Sequence, residues 1–451
     1  MRTYQDWLKV AVGSEQTKME WIKSAISDYK SSRDYRNAVD GDAYYKGMNT
    51  TIKRYEKVLF NALGQAVPDL MSANHKLATR FFYRDIMQAA STLLGNGVTW
   101  ADGKGGEALG SDFDTKLMRA YKVAQRQGKA YGFFNNGRVE IYKATEFDAL
   151  LDEDDGAIKA GIRFWQIADN KPLRATMFEM DGYTEYMWDK DGNGSVKQEK
   201  RGYKAIISES EADGEIIEGY ENYPGFPVVP LYVNEDRESE LLPLRAAIDC
   251  RDLIASGYAN DISDAELLYF TITNTGGMDD ADLVAMLDKL RKLHATTVDA
   301  DVNLQSHSVS PEYQGREAIL TRLDADLYED AMAVNTKDLS SRNATATEIK
   351  AAYVPLDEKL DDHETFVTAF VMGLLDIAGV EDMPTYERSY VINRPEEINA
   401  LMAASAYLPQ EYITTKIVTM NGDKDGLENV MAQMAGESLG RFANGGTENN
   451  E

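Results

Sequence analysis

The 451-residue chain has one cysteine, Cys250, only four histidines, and no run of 18 apolar residues. A lone cysteine excludes an internal disulfide and any cysteine-based zinc site. The missing apolar run excludes a membrane-crossing helix, and residues 1–16 lack the apolar core of a secretory signal. The chain is therefore read as one made and kept in an aqueous, cytoplasmic setting, with no membrane partner. His75, His294, His307 and His363 form no HxxxH pair, and there is no Gly-x-Ser-x-Gly elbow. Bases are scarce too: 48 Lys and Arg face 75 Asp and Glu, a net charge of −27. A wide grip on nucleic acid needs clustered Lys and Arg, so the totals argue against one.

What is present is an ordinary globular composition, 43% hydrophobic and 27% charged. The length suits roughly two to four domains. The first hundred residues read as helices. Trp21, Ile22 and Ile26 share a face, Gly47 breaks the pattern, and residues 51–64 resume it. A 3.6-residue stripe of Leu77, Phe82, Ile86, Ala89 and Leu93 predicts a helix over 75–94, closed by Gly95 and Gly97. Another is predicted over 112–127. From 128 to 233 the period moves towards two, with Gly, Asp and Asn turns between strand-like runs, so this part is an antiparallel β-rich domain.

Residues 239–377 then read as helix (240–263), small mixed insert (265–315), helix (316–334), polar loop (335–344) and long helix (345–377). On the first helix Leu241, Leu244, Ile248, Ala255, Ala259 and Ile262 form a narrow apolar stripe. Arg245, Asp249, Arg251, Asp252 and Asp261 leave the rest of it charged. On the long helix Ile349, Tyr353, Leu356, Leu360, His363, Val367, Phe370, Leu374 and Ile377 form a seam that must bury, and Pro355 predicts a kink near its start. In the insert, a helix over 279–294 lies between strands at 267–273 and 302–309. A short extended piece from 386, helices at 395–406, 410–420 and 424–440, and a polar tail complete the chain.

The chemical motifs are weak. Asp189, Asp191, Asn193 and Gly194 match the start of a calcium loop, but position twelve is Lys200 and the flanks are strands, so the stretch reads as a hairpin turn. The run Gly97 to Lys104 has one residue too many for a phosphate loop, and Gly105 stands where Ser or Thr would hold magnesium. His363 falls on the long apolar seam and reads as a hydrogen-bonded core histidine. Pairs such as Asp324/Asp326 and Asp361/Asp362 carry little information in so acidic a chain. No catalytic constellation emerges, so the chain reads as a non-enzyme with no cofactor and no metal.

Several segments together resemble the portal proteins of tailed double-stranded-DNA bacteriophages, of the type found in long-tailed phages. STLLGNGVTW (91–100) is similar to a helix end and turn written Y-L-x-G-x-P-V-T, with Gly97 at the proline. Residues 146–166 resemble a strand, acidic turn and I-R-aromatic segment. GFPVVPLYVNEDRESELLPLRAAIDCRDLIASGYANDI (225–262) carries the likeness furthest, with P-V-V-P, Ile-Asp and Ser-x-x-x-Asn in the family's order. NATATEIK (343–350) resembles the start of the family's long helix, without its Ser-Gly pair. LPQEYITTKIV (408–418) resembles a late helix.

The resemblance implies an α+β portal-type fold with a wing of helices plus antiparallel β, a helical stem, a small α/β clip and a short helical crown. The copies would form a ring, normally a dodecamer. The wing would be 1–238 and 345–390, the stem 239–264 and 316–334, the clip 265–315, the tunnel loop 335–344, the crown 391–440, and 441–451 a flexible tail. The implied role is a channel for double-stranded DNA at one capsid vertex during genome packaging and ejection, without sequence-specific binding. The implied partners are the terminase large subunit, head-completion or tail adaptor proteins, the major capsid protein and scaffold. Location is the virion, after assembly in the host cytoplasm.

Lys337, Asp338, Ser340, Ser341 and Arg342 are then the tunnel-loop candidates, able to touch phosphates without a net basic grip. Asp279, Asp280, Asp282, Lys289, Arg291 and Lys292 are the clip candidates for partner contact, although their layout also simply suits a helix dipole. A net-acidic ring would keep DNA sliding rather than held. Two other readings stay open at this point: another structural or adaptor protein of a virion, and a metal-dependent hydrolase or nuclease using dispersed acids.

Overall fold

The computed structural model describes residues 2–60, 64–69, 73–210, 214–265, 269–273, 279, 281–282, 285, 303–307, 313–341, 345–390, 398, 401–407 and 409–420. Two compact units divide the chain, Met1–Met332 with Leu360–Glu387, and Ala333–Lys359 with Arg388–Glu451. The predicted 424–440 helix and the tail lie outside the described residues. No helix among the described residues is long and apolar enough to cross a membrane.

The first unit opens with helices α1 (Tyr4–Ala11), α2 (Glu15–Lys30), α3 (Arg33–Tyr45) and α4 (Thr50–Arg54). Thr3, Ser14 and Ser32 each accept an N–H from the first turn that follows, which fixes where α1, α2 and α3 begin. The helix expected over 51–64 is a single turn, α4. Strands β1 (Val58–Phe60) and β2 (Ala66–Pro68) follow it as an antiparallel hairpin. β-branched and aromatic residues at 58–60 favour a strand over continuation of the helix.

Next come α5 (Phe81–Leu94), β3 (Val98–Trp100), α6 (Lys104–Leu109) and α7 (Phe113–Gln127). Strands β4 (Ala130–Phe134) and β5 (Val139–Lys143) lead into β6 (Phe147–Leu151), β7 (Ile158–Trp165), β8 (Leu173–Glu179), β9 (Gly182–Trp188) and β10 (Gly194–Arg201). β6 to β10 form one five-stranded antiparallel meander. Trp7, Ile22 and Ile26 pack over it, in one core with Leu150, Ile162, Met177 and Trp188. β11 (Lys204–Ser210) and β12 (Gly214–Glu221) form a hairpin, and β13 (Val228–Leu231) pairs with β4 to make a three-stranded sheet with β5. The period-two reading of 128–233 as an antiparallel β-rich part therefore holds.

Helix α8 (Leu241–Ala265) precedes hairpin β14 (Tyr269–Thr273) and β15 (Asn303–His307), then α9 (Tyr313–Asp330), α10 (Thr336–Ser341) and α11 (Ala346–Ala378). The second unit holds α10 and the first part of α11. The rest of α11 belongs to the first unit, where it lies on the three-stranded sheet. A Cβ on Gly132 of β4 would sit 2.6 Å from Phe370, and one on Gly373 2.9 Å from Val229, so both glycines are set by close approach. The expected seam is buried from Tyr353 to Ile377, and the helix runs on through Pro355. β16 (Pro384–Tyr386) pairs with β3. α12 (Gln410–Met420) matches its expected span, and residues 401–406 are helical as far as described.

Candidate functional site

α8 and α9 run antiparallel. Arg251 pairs with Asp324 and Arg316 with Asp261, and the Tyr258 and Tyr313 rings meet edge-on at 5.7 Å. The pair is thinly covered. Over its 18 residues α9 buries one side chain, Leu327. Ile319 is 49% exposed and, on α8, Ile262 is 43% exposed. Ile254, Gly257, Gly315, Arg316 and Ile319 line a shallow groove of about 480 Å³. α9 ends at Asp330, earlier than the pattern suggested, because Met332 takes a left-handed φ of 52°.

The buried face of α8 corrects the sequence reading. Leu241, Leu244 and Ile248 are buried as expected, but the stripe continues through Asp252, Ser256 and Asn260 rather than Ala255, Ala259 and Ile262. Asp252, read as solvated, is fully buried. The reason is the segment before α5. Residues 73–80 are extended, not helical, and lie along α8. The N–H groups of His75, Leu77 and Thr79 donate to Asn260 Oδ1 (2.6 Å), Ser256 Oγ (2.9 Å) and Asp252 Oδ1 (2.8 Å). Two strand residues rise about 6.6 Å and four helix residues about 6.0 Å, so the i, i+4 acceptors match every second N–H. Asn49 also donates to Asp252 and to the Thr79 carbonyl, and His75 Nε2 stands 3.0 Å from Ser263 Oγ. Burial pushes the Asp252 carboxyl up from its ordinary value, and the bonds from Asn49 and the Thr79 N–H hold it back. One turn earlier, Asp249 accepts from Tyr44 Oη (2.5 Å) and Thr51 Oγ1 (2.7 Å). The usable sequence signal was the run D-x3-S-x3-N continuing the phase of Leu244 and Ile248.

The residues singled out from sequence fall in two places. The stretch expected as a loop is helical over Thr336–Ser341, a correction whose cause is Asn335. Its carbonyl accepts from Asp338 N–H (3.1 Å), its Oδ1 from Lys337 N–H (3.2 Å), and its Nδ2 donates to Asp338 Oδ2 (2.9 Å). Lys337 and Asp338 are exposed on this turn, Ser340 and Ser341 belong to its backbone, and Arg342 lies outside the described residues. Thr345 and Glu348 then make a capping box that starts α11, with the Thr345 N–H 2.8 Å from Glu348 Oε2. Also in the second unit, Asp357 holds Arg388 (3.2 Å) and Tyr390 Oη (2.9 Å). In the insert, β14 and β15 fall within the two expected strands, and they pair antiparallel. Asp279 and Asp282 are exposed, with the Asp282 N–H donating to Asp279 Oδ1 (2.9 Å). Asp280, Lys289, Arg291 and Lys292 lie outside the described residues.

The motifs set aside from sequence have structural occupations. Asp189 Oδ1 accepts the N–H groups of Asp191 and Asn193 (2.9 Å each) in the turn between β9 and β10. The N–H groups of Asp102 (2.9 Å) and Gly105 (2.8 Å), where a phosphate loop would cradle its anion, bind the Asp382 carboxylate instead. These bonds, the one from Gly105 first, hold Asp382 below its usual pKa. His363 is buried with Nδ1 2.6 Å from Tyr121 Oη and Nε2 4.0 Å from Glu240 Oε1, as a core histidine should be. Among the described residues, no group of three or more His, Cys, Asp or Glu is placed to hold a metal.

The family model described as phage portal protein, SPP1 Gp6-like, matches residues 25–437. The portal protein of Clostridium phage phiCD119 is 25% identical over 198 residues, 42% of this chain and 44% of that one. The portal protein of Bacillus phage SPP1 is 23% identical over 354 residues, 73% of this chain and 67% of that one. The chain thus spans less than half the length of the first relative and about two thirds of the second. Among solved structures, a chain in the neck of the native gene transfer agent particle, computed with C12 symmetry, is 10% identical with a TM-score of 0.44, over 75% of this chain and 89% of that one. A chain in the virion of the same kind of particle gives 9% and 0.43, over the same shares.

Proposed function

The chain belongs to the phage portal protein family, SPP1 Gp6-like, and on that premise we propose that its copies close into a ring at one capsid vertex and pass double-stranded DNA through a central channel during packaging and ejection. In this reading α8 and α9 are the stem, with boundaries 239–264 and 316–334, and the insert 265–315 is the clip. Residues 1–238 and 345–390 form the wing, and 391–440 the crown. Asn335–Ala344 is the tunnel segment, so Lys337 and Arg342 touch passing phosphates, balanced by Asp338. The clip, with Asp279, Asp280, Asp282, Lys289, Arg291 and Lys292, docks the terminase large subunit and later the head-completion or tail adaptor. Major capsid protein and scaffold are the ring's further partners in this reading. The chain acts as a conduit, and the motor chemistry belongs to the terminase.

The observation that carries this reading is α9. An 18-residue helix with one buried side chain does not hold itself together, because helices in water draw most of their stability from packing. Ile262 and Ile319 are left open on the same helix pair. Copies side by side round a ring would cover both. A mass measurement over several salt concentrations tests this. Closed rings of many subunits, normally twelve, are expected. A species that stays monomeric or dimeric at every salt and protein concentration tried would overturn it.

A further inference from the structure

Residues 46–84 carry seven Lys and Arg against two acids, a local +5 that leaves −32 for the rest of a −27 chain. Lys46, Lys53, Arg54, Lys76, Arg80 and Arg84 are all exposed, and none has an acidic partner among the described residues. Local packing gathers them. Lys76 Nζ donates to the Lys53 carbonyl (2.8 Å), and the Arg80 guanidinium lies over the Tyr83 ring at 4.4 Å. Arg80 also runs beside the turn after Lys46, since a Cβ on Gly47 would stand 3.3 Å from its Cγ.

This basic flank is fixed to one side of α8 by the Asp252, Ser256 and Asn260 ladder. α9 is fixed to the other side through Arg251, Tyr258 and Asp261. At 3.6 residues per turn those two sets point about 180° apart. α9 is the acidic flank. Its Glu317, Glu329 and Asp330 are exposed and have no basic partner among the described residues. The heights agree as well. Lys76 sits between the residues that bind Asn260 and Ser256, level with the Glu317 end of α9. Arg80 follows Thr79, which binds Asp252, level with Asp324 and the turn leading to Glu329.

We propose that the basic flank of one copy, centred on Lys53, Lys76 and Arg80, docks on the acidic α9 of the next copy, at Glu317, Glu329 and Asp330, and that this contact is the electrostatic seam of the ring. The inference rests on the ring reading above. A ring is closed by head-to-tail contacts, which need two different, complementary surfaces on opposite sides of each copy. Copies of a strongly acidic chain repel one another, so a seam of opposite charge selects the register in which they meet. It would also cover the helix that buries only Leu327.

The test uses two variants of the full chain, Lys53→Glu/Lys76→Glu/Arg80→Glu and Glu317→Lys/Glu329→Lys/Asp330→Lys. All six positions are exposed, and circular dichroism melting checks that both still fold. Each variant alone should form rings about tenfold or more less readily than wild type, since like charges then face each other. An equimolar mixture should restore rings, because every contact in an alternating ring is again between opposite charges. Rings from either variant alone at wild-type yield would overturn the seam, as would two folded variants whose mixture stays unassembled. If the basic-flank variant assembles normally and loses binding to a short DNA duplex, the flank is a nucleic-acid surface instead. Failure of the wild type itself to form rings would sink the ring reading rather than the seam alone.

Discussion

Asp252 shows how a single acid in an acidic chain can be structural. Replacing it with Ala leaves the Thr79 N–H and the Asn49 amide without their acceptor in a buried place. That should lower unfolding stability by about 2–3 kcal/mol, with Asp252→Asn costing about 1 kcal/mol because one acceptor oxygen remains. Urea unfolding measures both, and an unchanged midpoint for Asp252→Ala would contradict the ladder. Asp148, on β6, is buried as well. Burial pushes its carboxyl up to about 7. The folded chain therefore binds a proton that the unfolded chain releases near 4, so this residue makes stability fall as pH rises towards 7, after which the loss is complete. The slope is on the order of 1 kcal/mol per pH unit between about pH 5 and 7. Asp148→Asn should remove it, and a variant with the wild-type slope would assign it elsewhere. At this scale the sequence was a poor guide. Both aspartates look like solvated charge, because what lies against them comes from far along the chain, residues 73–80 for Asp252 and the region of Arg2 and Asp28 for Asp148. His363 was legible because it shares the phase of its apolar neighbours.

Elements were more legible where the period was long and the capping local. α7, α11 and the strands of 128–233 could be read because their partners repeat along the element itself. Residues 75–80 looked like a first turn of α5 because Leu77 was counted into the stripe of Phe82, although five residues at 3.6 per turn set it about 140° off that face. Their N–H groups are instead taken by α8, which no local pattern reveals. The stretch after α9 looked like a loop because it is polar, whereas one residue, Asn335, is enough to turn it helical. That short helix carries the functional prediction at this scale. Lys337→Ala combined with Arg342→Ala should leave ring assembly intact and change DNA packaging or retention in assembled particles. If assembly fails while surviving rings package normally, the segment is structural and its assignment to the channel is wrong.

For the whole molecule, the ordered set of loose segments, from residues 91–100 to 408–418, pointed to a family that the match over residues 25–437 places beyond question. Composition and motifs displayed no familiar catalytic constellation, and neither indicated a ring. What the chain's covalent order could not display is which surfaces face another copy, because charge and exposure only become flanks once α8 has set them on opposite sides. The central claim is that these copies close round a channel. Electron microscopy of the purified, concentrated protein tests it most directly. End-on class averages should show closed rings of about a dozen subunits with an open centre, as this family reading implies. Single compact particles with no rotational symmetry, at both low and high salt, would contradict it.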